Sequence, residues 1–69
     1  MNKLTAIEIK RESLHAVEAL SRALNHAKTG YTEDEFAALH QEIGMLIGRI
    51  QMGVLEPIYT NYSDLDDLT

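Results

Sequence analysis

The chain has 69 residues, a net charge of −5 and no cysteine. A single domain of this size buries only about 60% of its unfolded surface, so its own core is marginal. Disulfides and thiolate metal sites are excluded as supports, which leaves association with another chain. The acidic balance argues against broad electrostatic capture of nucleic acid or anionic lipid. No apolar run reaches the length of a membrane span: the best stretch, Phe36 to Leu55, is broken by His40, Gln41, Glu42, Arg49 and Gln51. No basic-then-apolar leader is recognisable at the N-terminus, and the default expectation is a cytoplasmic protein.

The first element starts at a capping box. Thr5 and Glu8 have the spacing at which each side chain satisfies a free backbone donor of the other. From there a helix is predicted over about 5–28. Ala6, Ile7, Leu14, Val17, Leu20 and Leu24 share one side, and Arg11, His15, Glu18, Arg22 and His26 the other, which makes an amphipathic surface helix. Glu18 and Arg22 stand in the favourable i,i+4 order.

Gly30 is the expected left-handed stop. Thr32 then caps a second helix over about 33–52. Glu35 completes a capping box, and Glu33 and Asp34 meet the positive end of the helix dipole. Tyr31 and Phe36 occupy the staple positions, where their rings could pack. So short a connection predicts antiparallel neighbours. Phe36, Leu39, Ile43, Leu46, Ile47 and Ile50 form the stripe expected to face the first helix, and Gly53 is its expected stop.

The back of the second helix departs from an ordinary solvated face. Glu35, Glu42 and Arg49 form a thin charged strip at intervals of seven, amid Ala37, Ala38, Gln41, Gly44, Met45, Gly48 and Met52. Each glycine costs up to about 1 kcal/mol relative to alanine inside a helix. Small residues let backbones approach closely, and methionine fills irregular gaps. Ala37, Gln41, Gly44, Met45, Gly48 and Met52 are therefore expected to form an oligomer interface.

Residues 1–56 are read as the helical hairpin and 57–69 as an acidic-aromatic tail. Pro57 biases Glu56 toward an extended backbone, and Ser63 with Asp66 could cap one short turn. The tail carries Ile58, Tyr59, Tyr62, Asp64, Leu65, Asp66, Asp67 and Leu68. These anchors either fold back across the hairpin or dock on a partner protein, with the acidic groups steering toward a basic surface. The fold class is all-α: an antiparallel hairpin with an extended acidic tail, dimerising into a four-helix bundle. This layout of helix, turn, helix and acidic tail resembles that of the plasmid copy-number proteins of the repressor-of-primer type. The likeness is one of architecture and not of motif.

The chemistry-bearing residues do not converge. His15 and His26 lie on one side of the first helix but roughly 16 Å apart along it. His40 is level with neither. Glu12 and His15 have the Glu-x-x-His spacing of di-iron bundles, yet the second helix offers no glutamate at that height. Asp64, Asp66 and Asp67 lack the turn glycine and closing glutamate of a calcium loop. The segment Leu39–Ile47 resembles the Ser-Gln-Glu-Leu-Asp segment of small helical-hairpin phosphatases at Gln41 and Glu42. His40 stands in place of the serine and Gly44 in place of the aspartate that matters for their activity. Lys3, Lys10, Arg11, Arg22 and Lys28 fall on the first helix or its ends. They are interleaved with Glu8, Glu12 and Glu18, and no aromatic ring stands among them to stack on a base.

The expectation is thus a non-enzymatic interaction protein: a homo-oligomeric regulator or inhibitor that binds itself and another protein. It calls for no catalytic residue, metal or cofactor and for no membrane. The alternatives are a nucleic-acid-binding bundle that uses the first helix, and a metal-binding or phosphatase-like helical protein.

Overall fold

A computed structural model describes residues 2–66. It is all-helical, an antiparallel hairpin in which α1 (Lys3–Gly30) lies against α2 (Glu33–Ile50). A π-helical turn, Gln51–Leu55, leads directly into α3 (Glu56–Asn61), and a 3₁₀ turn follows at Ser63–Leu65. The molecule is 44 Å long and 16 Å thick.

Asn2, rather than Thr5, caps α1. Its side-chain oxygen accepts from the Thr5 backbone N–H at 2.8 Å. Asparagine is at least as strong a cap as threonine, and starting earlier gains helical hydrogen bonds. Glu8, freed from the expected capping box, accepts from Arg11 instead. The Glu18–Arg22 ion pair expected from spacing is not formed; Arg11 also approaches Glu12, at 3.6 Å.

The connection between the helices is two extended residues, Tyr31 and Thr32. Gly30 remains helical, and no described residue has positive φ, so the expected left-handed stop is absent. The chain exits instead because Thr32 must be extended to cap α2. The capping box there is complete: Glu35 N–H donates to the Thr32 hydroxyl at 3.2 Å, and Thr32 N–H to the Glu35 carboxylate at 2.9 Å. The expected Tyr31–Phe36 staple does not form as a ring pair. Phe36 sits beside His40, with centroids 6.0 Å apart, and Tyr31 is half exposed.

The seam of the hairpin is narrower than the apolar stripes suggest. On α1, Ala6, Val17, Leu20, Leu24 and Ala27 turn inward, while Ile7 and Leu14 lie on an exposed flank. On α2, Phe36, Leu39, Ile43, Ile47 and Ile50 turn inward, and Leu46 is half exposed. Two helices alone enclose only one strip of each, so residues on the edges stay wet.

The largest departure from expectation is at Gly53 and Pro57. Gly53 does not end α2, and Glu56 is not extended: its φ and ψ are −57° and −47°, fully helical. The chain runs on through one wide turn, in which the Glu56 N–H bonds to the Gln51 carbonyl five residues back. A proline in an unbroken α-helix loses one such bond, and its ring collides with the carbonyl four residues back. The wide turn places Pro57 in the first turn of α3, where a missing N–H costs nothing. It also adds one residue to the count. The inward stripe steps from Ile50 by five to Leu55 and then by three to Ile58. In a regular helix Leu55 would be about 100° off the core face. Here Leu55 and Ile58 are 1% and 2% exposed, the best-buried large side chains among the described residues, at the same end as the fully buried Ala6.

The tail is therefore helical in its first half rather than extended. It folds back on α1: Lys3 donates to the Asp64 carboxylate, and Lys10 donates to the Leu65 carbonyl and lies 5.9 Å from the Tyr59 ring centroid.

Candidate interaction surface

The outer side of α2 is what distinguishes this hairpin. Ala37, Gln41, Gly44, Met45, Gly48 and Met52 are all exposed in the single chain. A side-chain carbon added at Gly44 or Gly48 would meet no heavy atom within 4 Å outside its own helix. Nothing among the described residues requires glycine at either position. Both have ordinary helical backbones, so conformation does not require it either. Met45 is about half exposed and Met52 is 72% exposed. Leu46, expected in the hairpin seam, is half exposed on the edge of that seam, on the flank of α2 opposite Gly44 and Gly48. On α1, Ile7 and Leu14 are 38% and 36% exposed.

The tail residues fall into two groups. Ile58 is buried, and Tyr59, Tyr62, Leu65 and Asp66 are half buried. Asp64 is exposed and pairs with Lys3. The hydrogen bond from Lys3 holds the Asp64 carboxyl below the ordinary aspartate pKa. Asp67 and Leu68 lie outside the described residues. The 3₁₀ turn at Ser63 has no side-chain cap; Asp66 contributes its backbone N–H to the Ser63 carbonyl.

An open hollow of about 470 Å³ lies at the turn end, lined by Ala23, His26, Ala27, Gly30, Tyr31 and Leu39. His26 and the Tyr31 phenol are the ionisable side chains of its lining, and no carboxylate, serine or threonine joins them. Elsewhere His15 faces Glu12 at 4.0 Å on the exposed side of α1. Among the described residues no three His, Asp or Glu side chains approach closely enough to share a metal ion.

The basic residues of α1 are mostly engaged within the chain. Lys3 and Lys10 hold the tail, and Arg11 serves Glu8 and Glu12. No helix among the described residues is long and apolar enough to cross a membrane. Comparison with protein-family models, with curated proteins and with solved structures gives no match to this chain.

Proposed function

We propose that the chain is a small, non-enzymatic interaction protein of the cytoplasm, a homo-oligomeric regulator or inhibitor that acts by protein–protein binding through the outer side of α2. The observation that carries this reading is the combination of wet Met45 and Met52 with two glycines that nothing among the described residues requires. Burying one leucine or methionine side chain contributes about 1.5–3 kcal/mol, and a two-fold contact counts each residue twice. Glycine in a helix interior costs up to about 1 kcal/mol, which close approach of a second backbone would offset. A pair of hairpins joined there makes a four-helix bundle.

Sedimentation equilibrium at micromolar concentration tests the reading. Dimers or higher oligomers are expected. A stably folded monomer throughout that range overturns it.

Nucleic-acid binding through α1 is the second reading. It has fewer groups to use, because Lys3, Lys10 and Arg11 already serve carboxylates and a carbonyl of the chain itself, which leaves Arg22 and Lys28. A salt-sensitive gel shift abolished by Arg22→Glu would support it, and no shift at low salt would end it.

A further inference from the structure

Ala38, Glu42, Met45, Arg49 and Met52 follow one another at steps of four, three, four and three. That is the spacing of a seam along which one helix packs on another. All five are exposed; the first four lie on the side of α2 away from the buried Ile43 and half-buried Ile47, and Met52 follows at the start of the wide turn. Within the seam Glu42 and Arg49 bear opposite charges about 10.5 Å apart along the axis, two helical turns. Neither forms an ion pair with any described residue of its own chain.

We infer that this seam takes a second copy of the same α2 in antiparallel register, with the two-fold axis passing between Met45 and Leu46. The inference rests on the proposed self-association and centres it on the charged stripe, with Gly48 at the border of the contact and Gly44 on its flank. In this register a residue i faces about 91 − i of the partner. Glu42 then meets the second copy's arginine at position 49, and symmetry makes the same pair again on the other side. Met45 lies beside the axis and meets its counterpart at the centre, and Met52 comes level with position 39 of the second copy, next to the small side chain of its alanine at position 38. Small facing large fills the seam without a gap.

The opposite arrangement is disfavoured by charge. A parallel pair would set glutamate 42 against its own copy and arginine 49 against its own copy. Like charges facing each other across a helix pair select against that orientation. The ends of α2 point the same way, because antiparallel helices bring opposite dipole ends together.

The test is sedimentation equilibrium of the full chain, unaltered and as Glu42→Arg, Arg49→Glu and the double exchange Glu42→Arg/Arg49→Glu. Each single reversal is expected to weaken self-association about ten- to a hundredfold, since two attractive pairs become repulsive. The double exchange is expected to restore it to within a few-fold. Both positions are exposed, so far-ultraviolet circular dichroism should show an unchanged helix content. A chain that is monomeric when unaltered overturns the proposed function and this inference together. A dimer indifferent to the single reversals, or not restored by the double exchange, overturns the antiparallel pairing alone.

A second measurement uses the absence of native cysteine. Glu42→Cys mixed with Arg49→Cys should give the mixed disulfide in preference to either like pair. A dominant pairing of Glu42→Cys with itself would also sink the antiparallel register.

Discussion

Lys3 and Asp64 are joined by a hydrogen-bonded ion pair across 61 positions of sequence. This contact brings the tail back beside the start of α1, where Lys10 holds the Leu65 carbonyl one helical stretch further on. Two lysines of the most basic part of the chain thus hold its most acidic part.

The pair predicts a pH dependence of definite sign. The folded-state pKa of Asp64 is lowered, first by the hydrogen bond from Lys3. Its contribution to holding the tail is therefore complete above the ordinary aspartate value of 3.8 and is lost as pH falls through the lowered one. A carboxyl NMR titration should find Asp64 below that ordinary value, and Lys3→Ala should return it there. An unshifted Asp64 in the unaltered protein would show that the pair does not persist in solution. Because both side chains are mostly solvated, global stability should scarcely change.

Core substitutions should separate the two ends of the last helical stretch. Leu55→Ala and Ile58→Ala each remove a buried side chain and should cost about 2–5 kcal/mol in denaturant unfolding. Met52→Ala removes a mostly exposed one and should change the stability of the isolated chain by only about 0.5 kcal/mol or less. If Leu55→Ala proved as mild as Met52→Ala, the burial assigned to the wide turn would be wrong.

Replacing the α2 glycines should have opposite effects on folding and on assembly. Gly44→Ala and Gly48→Ala meet no obstruction within the chain, so each should stabilise the helix by up to about 1 kcal/mol. Gly48 borders the proposed seam and Gly44 lies on its flank, so association should be weakened more by Gly48→Ala than by Gly44→Ala. Thermal unfolding at low concentration and sedimentation at high concentration read the two effects separately. Improvement of both would mean that no backbone comes close there.

Pro57→Ala should leave the wide turn in place. Closing it would recover a hydrogen bond, worth about 1 kcal/mol. It would also swing Leu55 and Ile58 off the core face, which forfeits about 1.5–3 kcal/mol for each side chain. Backbone chemical shifts over Gln51–Leu55 should therefore stay as they are. A shift to a regular helix would assign the irregularity to proline rather than to burial.

Some of what adjacent residues encode was legible in advance, although the Thr5–Glu8 box, the Gly30 stop and the Tyr31–Phe36 staple are not formed. Thr32 and Glu35 form their capping box because both partners and both donors lie within one turn. The antiparallel hairpin follows from so short a connection, and the inward positions of α2 follow from their period. The tail was harder to read. Gly53 and Pro57 each signal a terminator locally, and the burial of Leu55 and Ile58 against α1 overrode both. The only trace in the sequence was the five-residue step from Ile50 to Leu55. The Lys3–Asp64 pair left no local signal, since its members are at opposite ends of the chain. For the candidate surface, composition identified Gly44, Met45, Gly48 and Met52; it did not show that Leu46 is half exposed at the edge of the hairpin seam. A stripe of apolar residues does not reveal which of its edges a single neighbour leaves wet.

The extra residue at Gln51–Leu55 acts like a skipped tick on a ruler. Counting by sevens is sound on either side of it and errs by about a quarter of a revolution across it. Any staple, spin label or grafted side chain placed by extrapolating from α2 into α3 will land on the wrong flank unless the count is advanced by one.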